Sequence, residues 1–126
     1  MTEQELLLLA KEASERAYVP YSHFCVGAAL ECSDGTVFKG CNVENAAYGD
    51  TICAERTAIV KAVSEGYTSF RRIAIYGKSE GYCMPCGSCR QVMAEFSPQM
   101  QVICGRAAGD FISLPLTQLL PHTFDF

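Results

Sequence analysis

Apolar residues recur along this 126-residue chain with two different periods, and their alternation predicts an α/β fold. Thr2 and Glu5 match a capping box, and apolar positions 6, 9, 10, 13 and 17 predict a helix that runs to about Tyr18. Further helical patterns cover 53–64, 86–96 and 116–120. Apolar and β-branched runs predict strands at 24–32, 36–42, 72–76, 101–104 and 111–114. The pattern favours a mixed sheet of about five strands with helices on its faces.

Short turn and breaker residues separate these elements. Ser33-Asp34-Gly35 joins the first two strands, and it predicts a hairpin because Asp and Gly tolerate positive φ. Gly66 is expected to end the second helix, and Pro115 suits the first turn of the last one. Since no linker or repeat interrupts the chain, we expect residues 1–126 to form a single domain.

Composition narrows the classes of partner. Fourteen acidic against ten basic residues disfavour nucleic acid, which needs a basic face. The run Leu6-Leu7-Leu8-Leu9 is too short to cross a bilayer, and no positively charged region precedes it as in a signal peptide. We therefore expect a cytoplasmic protein without a membrane partner. Its eight cysteines are then reduced thiols and metal ligands rather than disulfides.

Three cysteines and one carboxylate carry the candidate chemistry. They lie in Cys53-Ala54-Glu55 and in Pro85-Cys86-Gly87-Ser88-Cys89. Three thiolates supply three ligands for a tetrahedral Zn²⁺ and leave a fourth position open, as catalytic sites do. Glu55 is placed to handle protons at that position, and this arrangement matches the zinc-deaminase signature.

The placement of these residues favours the thiolate form. Cys53 and Cys86 each begin a predicted helix, where unpaired N–H groups and the helix dipole stabilise negative charge. A thiol pKa is lowered in such a position. Cys86 and Cys89 are three residues apart, so they share one face of the first turn and can bind one ion.

Other cysteine arrangements remain open from the residues alone. Cys83, Cys86 and Cys89 form a C-x₂-C-x₂-C run, which also suits a closed four-cysteine zinc site or an iron–sulfur site. No Cys-Pro follows at the ferredoxin spacing, and a fourth cysteine would fill the position that Glu55 serves. We expect Cys83 to be an exposed residue outside the site. The remaining thiols are expected in the core: Cys25, Cys32, Cys41 and Cys104.

Two arginines follow the metal-binding segments. A zinc ion with three thiolates carries net negative charge, which works against forming hydroxide on it. Arg56 follows Glu55 and Arg90 follows Cys89, so both are placed to donate hydrogen bonds to the sulfurs. The alternative for each is a solvated charge or an ordinary ion pair.

Longer segments of the chain closely resemble the short, homotetrameric cytidine deaminases, from Tyr18 to Phe124 and in order. The resemblance implies a three-layer α/β/α sandwich, one zinc per chain and four active sites at subunit contacts. It implies hydrolytic deamination of cytidine and 2′-deoxycytidine in pyrimidine salvage, and a deaminase of blasticidin-type nucleosides is the alternative. The segments that carry the resemblance are Tyr18-Val19-Pro20-Tyr21-Ser22, Val26-Gly27-Ala28-Ala29, Gly40-Cys41-Asn42-Val43-Glu44-Asn45-Ala46, Cys53-Ala54-Glu55-Arg56 and Pro85-Cys86-Gly87-Ser88-Cys89-Arg90-Gln91.

The resemblance also implies site residues. Cys53, Cys86 and Cys89 would bind zinc, and Glu55 would shuttle protons. Phe24 would pack on the pyrimidine, Asn42 and Glu44 would hold the ribose hydroxyls, the backbone around Ala54 would contact the base, and Tyr48 and Phe124 would come from neighbouring subunits. Without the resemblance, Phe24 is interpreted as a core residue. Asn42 and Glu44 are then interpreted as a polar strand end.

Three rival functions differ in what they require. A nucleic-acid deaminase needs a positive channel, which the composition disfavours. A nucleotide deaminase needs a phosphate cradle near the sugar, where Glu44 would repel the phosphate. A zinc-stabilised binding module would keep the cysteines but have no use for Glu55.

Overall fold

The computed structural model describes residues 1–126 and contains a five-stranded mixed sheet. A single 3₁₀ turn covers Tyr48–Asp50, within the irregular segment before the second helix. None of the helices is long and apolar enough to cross a membrane. The helices are α1 (Glu3–Ser14), α2 (Ala54–Ser64), α3 (Gly87–Phe96) and α4 (Leu116–Leu119), and the strands are β1 (Val26–Cys32), β2 (Val37–Cys41), β3 (Phe70–Gly77), β4 (Gln101–Gly105) and β5 (Phe111–Pro115).

The strand order in the sheet is β2-β1-β3-β4-β5. Only β3 and β4 run parallel, and α3 lies in the connection between them, as a parallel pair requires. The other three pairs are antiparallel, including the β1–β2 hairpin. Its turn contains Gly35 at φ 93°, a conformation that glycine adopts without a Cβ penalty. The expected mixed α/β sheet of about five strands is confirmed.

Side-chain alternation in the strands divides the core into two layers. In β1, Ala28 and Leu30 pack with residues of α2, α3 and α4, whereas Ala29 packs with α1. In β3, Ile73 and Ile75 face the first layer and Ala74 faces the second. Helices therefore cover both faces of the sheet, which makes the three-layer α/β/α sandwich that the resemblance implies.

Close backbone contact places the start of α2 against the edge strand. A Cβ at Gly40 of β2 would lie 2.5 Å from the nitrogen of Ala58 and 2.7 Å from the carbonyl oxygen of Ala54. Only glycine permits this approach. This close approach fixes the distance between the sheet and Cys53, the residue that precedes α2.

The first helix is shorter than the sequence pattern predicts. It ends at Ser14, and Tyr18 forms an isolated parallel bridge with Val43. The main-chain N–H of Tyr18 donates to the main-chain oxygen of Asn42 at 3.0 Å, and the main-chain oxygen of Tyr18 accepts from the N–H of Glu44 at 2.9 Å. Pairing with the segment after β2 therefore overrides the helical stripe.

Candidate metal centre

Three cysteine sulfurs converge at the N-termini of two helices. Cys53 is the N-cap of α2, Cys86 is the N-cap of α3, and Cys89 lies in the first turn of α3. The sulfur of Cys86 is 3.8 Å from that of Cys53 and 3.5 Å from that of Cys89. All three sulfurs lie within 4.8 Å of one another.

These distances fit one tetrahedral zinc ion. Zinc–sulfur bonds of about 2.3 Å at tetrahedral angles place neighbouring sulfurs about 3.8 Å apart. Cys83 is outside the cluster, so the geometry provides three ligands and not a closed set of four. Cys83 is half-buried rather than exposed as expected, and burial raises the pKa of its thiol to about 11.

Hydrogen bonds and burial shift the pKa values of Cys53 and Cys89 in opposite directions. Hydrogen bonds from Cys89 and then Arg56 lower the pKa of Cys53 to about 5, against the opposing effect of burial. The pKa of Cys89 is raised, first because it shares a hydrogen bond with Cys53 and second because it is buried. These contacts favour a thiolate at the N-terminus of α2, where the sequence predicts stabilised negative charge.

Glu55 is a buried carboxyl beside the cluster. Its residue is 4% exposed, and burial raises its pKa to about 7, with the negative charge of Cys53 adding to the effect. The other buried carboxyl, Glu31, is paired with Arg72, whereas Glu55 has no ion pair. A buried carboxyl with a raised pKa beside three converging sulfurs indicates a functional site.

The two arginines differ in their contacts. Arg56 places Nη2 3.5 Å from the sulfur of Cys53 and 3.5 Å from the oxygen of Thr51, and its buried Nε has no hydrogen-bond partner. Arg90 instead donates to the carbonyl oxygens of Pro85 and Leu119, both at 2.8 Å. For Arg90 the expected bond to sulfur is replaced by main-chain bonds, because its guanidinium reaches across to the end of α4.

Asn42 and Glu44 bind the loop that leads into β1. Asn42 donates to the oxygen of Phe24 and accepts from the N–H of Val26, both at 2.9 Å. Glu44 accepts from the main-chain N–H groups of Tyr21 and Ser22, each at 3.1 Å, and from the Ser22 hydroxyl. The loop is therefore organised by the same two polar side chains that the sequence singles out.

Ser22 is a structural residue of this loop that motif spacing does not reveal. Its hydroxyl bonds Glu44 and also accepts from the Phe24 N–H at 3.0 Å. The only signal in the sequence is its place in the segment 18–22, which carries part of the resemblance.

The aromatic candidates lie on the surface of the chain. Phe24 is 39% exposed, not a core residue, while Tyr48 and Phe124 are 77% and 71% exposed. A cavity of about 420 Å³ lies beside Glu44 and Tyr48. A larger one, about 500 Å³, lies between α1, β2 and α2. Neither is lined by the three cysteines, and Ala54 is fully buried.

An open three-sulfur centre with a buried carboxyl, set on an α/β/α sandwich, defines a class of zinc-dependent hydrolytic enzymes. Residues 1–105 match the family model described as the cytidine and deoxycytidylate deaminase zinc-binding region, and the chain belongs to this family.

Individual relatives extend this likeness over the whole chain. The chain is 50% identical to a cytidine deaminase of Sporosarcina psychrophila over 125 residues, covering 98% of this chain and 92% of that protein. A cytidine deaminase of Halalkalibacterium halodurans is 49% identical, with 98% and 95% covered. The crystal structure of cytidine deaminase from Burkholderia pseudomallei superimposes with a TM-score of 0.95 at 49% identity, covering 98% of this chain and 100% of that chain.

Proposed function

We propose that this chain is a zinc-dependent cytidine deaminase that converts cytidine and 2′-deoxycytidine, with water, to uridine and 2′-deoxyuridine plus ammonia. The observation that carries the proposal is the buried, unpaired carboxyl of Glu55 beside the sulfurs of Cys53, Cys86 and Cys89. The two bacterial relatives named cytidine deaminase support the choice of substrate. The reaction belongs to pyrimidine salvage, in the cytoplasm.

Cys53, Cys86 and Cys89 are the residues that would hold one zinc ion per chain. When bound, zinc supplies a Lewis acid that makes water a nucleophile near neutral pH. Arg56 donates a hydrogen bond toward Cys53 and reduces the negative charge that three thiolates place at the site. Arg90 contributes differently, by fixing Pro85 and thus the main chain just before Cys86.

Glu55 acts as the proton shuttle. It accepts a proton from the attacking water and delivers it to N3 of the cytosine ring. It then takes the proton of the hydroxyl group now bound to C4 and passes it to the amino group, which leaves as ammonia while the C4 carbonyl forms. A carboxyl with a pKa of about 7 can both accept and donate a proton near neutral pH. Burial keeps Glu55 from exchanging protons freely with bulk water.

Phe24, Asn42 and Glu44 form the nucleoside-binding group, together with the main chain around Ala54. Phe24 packs on the pyrimidine, and Asn42 and Glu44 hydrogen-bond the ribose hydroxyls. Hydrogen bonding from Ser22 lowers the pKa of Glu44, which keeps the carboxylate charged. A charged carboxylate at the sugar favours a nucleoside, because it would repel a 5′ phosphate.

A homotetramer completes the site, with Tyr48 and Phe124 contributed by neighbouring subunits. The exposure of both side chains, and of Phe126 beside Phe124, supports this assembly.

Ammonia release from a panel of substrates tests the proposed function. Wild-type protein and Glu55→Gln are incubated with cytidine, deoxycytidine, cytidine monophosphate, single-stranded DNA and blasticidin. We expect the wild type to release ammonia from the two nucleosides and the Glu55 variant to be nearly inactive. Release from blasticidin alone would identify the alternative deaminase, and no release from any substrate would indicate a binding module.

A further inference from the structure

Gly77 is the last residue of β3. Because it has no Cβ, two neighbouring side chains can approach its main chain closely. A Cβ at this position would lie 2.8 Å from Cζ and 3.4 Å from Cε2 of Phe24, and 2.9 Å from the sulfur of Cys83. Its φ lies outside the positive range that favours glycine, and it pairs with Val26 in the sheet. Close approach of Phe24 and Cys83 is therefore the reason for glycine here.

Hydrogen bonds hold the main chain of Phe24 in place. Its N–H donates to the Ser22 hydroxyl at 3.0 Å, and its oxygen accepts from Asn42 at 2.9 Å. The ring, by contrast, is part of a residue that is 39% exposed. A side chain added at Gly77 would therefore move the ring of Phe24 rather than its main chain.

Cys83 places its sulfur beside the same glycine. Its N–H donates to the oxygen of Gly105 at 2.8 Å, which fixes its main chain to the end of β4. Burial raises the pKa of this thiol to about 11, which keeps it uncharged near neutral pH. A neutral sulfur packs well against an aromatic ring.

We propose that Gly77 and Cys83 are positioning residues for the ring of Phe24 and thereby set the affinity of the enzyme for its nucleoside. The inference rests on the proposed function, in which Phe24 contacts the pyrimidine. Phe24 is then held at two ends: Asn42 and Ser22 fix its main chain, and the tip of its ring lies against Gly77, beside which the sulfur of Cys83 also lies. The inference also gives a role to Cys83, which is not one of the three cysteines of the cluster.

The test measures KM and kcat for cytidine in Gly77→Ala. The added methyl moves the ring, so we expect KM to rise about tenfold while kcat changes less than about threefold, the pattern of lost uniform binding. Zinc content should stay at that of the wild type. Gly81→Ala is the matched control, because it lies in the following loop and a Cβ there meets nothing within 4 Å. Its KM should equal that of the wild type.

Two further variants test the contribution of Cys83. Cys83→Ala alone removes the sulfur beside Gly77, which leaves the ring free to shift, and it should raise KM about threefold with zinc retained. In the Gly77→Ala background, Cys83→Ala makes room for the methyl group, so KM of the double variant should fall below that of Gly77→Ala. Such a partial recovery is expected only if the added methyl group, the sulfur of Cys83 and the ring of Phe24 compete for the same space.

Several results would overturn the inference. A wild-type KM in Gly77→Ala or in Cys83→Ala would show that the contact does not position the ring. A variant that loses zinc, has a lower kcat and melting temperature and has a higher KM would indicate a structural role instead. If Gly77→Ala does not fold, Cys83→Ala decides alone. Failure of the wild type to deaminate cytidine would defeat the proposed function, whereas an active wild type with unchanged variants would defeat only the positioning role.

Discussion

Arg56 lies with Nη2 3.5 Å from the sulfur of Cys53, one turn apart at the start of α2. If this contact offsets thiolate charge, Arg56→Gln should lower turnover by about tenfold to a hundredfold, the scale of losing about 1.5–3 kcal/mol of hydrogen bonding from a charged donor. Steady-state kinetics with zinc content measured in parallel checks this. Arg16→Gln, an exposed arginine of the same chain, is the control.

A double-mutant cycle separates charge from anchoring at this contact. Cys53→His removes one negative charge from the site, so adding it to Arg56→Gln should recover part of the lost turnover. If Arg56 only anchors the fold, through Thr51 for instance, the second change adds its own damage. Simple additivity of the two losses would therefore refute charge compensation.

Glu55→Gln tests proton transfer directly. The amide keeps the size and much of the hydrogen bonding of Glu55 but cannot carry the proton, so turnover should fall by at least about 10²–10⁴-fold. Zinc should remain bound. Glu65→Gln, at the exposed C-cap of α2, should have wild-type kinetics. Near-normal activity of Glu55→Gln would rule out the shuttle.

Metal analysis of cysteine variants tests the ligand set. The wild type should hold one zinc per chain, Cys86→Ala and Cys89→Ala should lose it, and Cys83→Ala should keep it, because only the first two belong to the three-sulfur cluster. Atomic absorption after gel filtration gives the stoichiometry. An empty site in Cys83→Ala would restore the four-cysteine alternative.

The buried pair of Glu31 and Arg72 predicts acid sensitivity. Arg72 donates two hydrogen bonds to Glu31, at 2.8 and 2.7 Å, and they lower the pKa of this carboxyl below its unfolded value near 4.5. The contribution of this ion pair to the free energy of unfolding is therefore fully present above the unfolded pKa. It is lost as the pH falls through the lower pKa of the folded state. Glu31→Gln should cost about 1–3 kcal/mol at pH 7 and less at pH 3.

Urea unfolding at several pH values measures this difference. Glu12→Gln serves as the control, because its partner Lys39 lies on the exposed surface. Equal losses for Glu31→Gln at pH 7 and pH 3 would show that ionic pairing is not the source of the stability.

A further prediction concerns the oligomeric state and the aromatic residues at the C-terminus. We expect sedimentation to give a tetramer, and truncation after Thr123 to impair catalysis because Phe124 is removed from the neighbouring site. The exposure of Phe124 and Phe126 motivates the test. An active monomer at assay concentration would contradict it.

The sequence predicts the elements that periodicity and capping specify locally. Cys53 and Cys86 are expected at helix starts and are the N-caps of α2 and α3. It does not predict that α1 ends at Ser14, because Tyr18 pairs with a segment that is 25 residues away. The direction of a long side chain is equally non-local. Arg90 is therefore expected at sulfur but lies against Leu119.

The proximity of Phe24, Gly77 and Cys83 is a second non-local feature. No local pattern connects the residue before β1 with the end of β3 and the loop after it. The approach of Phe24 to Gly77 follows from the antiparallel register that pairs Val26 with Gly77. Residue types alone place Phe24 in the core for the same reason, since exposure depends on what the sheet leaves uncovered.

The cluster joins two parts of the chain that are distant in sequence: Cys53 and Cys86 are 33 residues apart. An ion bound by both acts as a cross-link, and it closes a loop that contains α2 and the central strand β3. Closing such a loop lowers the conformational entropy of the unfolded chain, as a disulfide does. An ion at this site would thus also hold the middle of the sheet together.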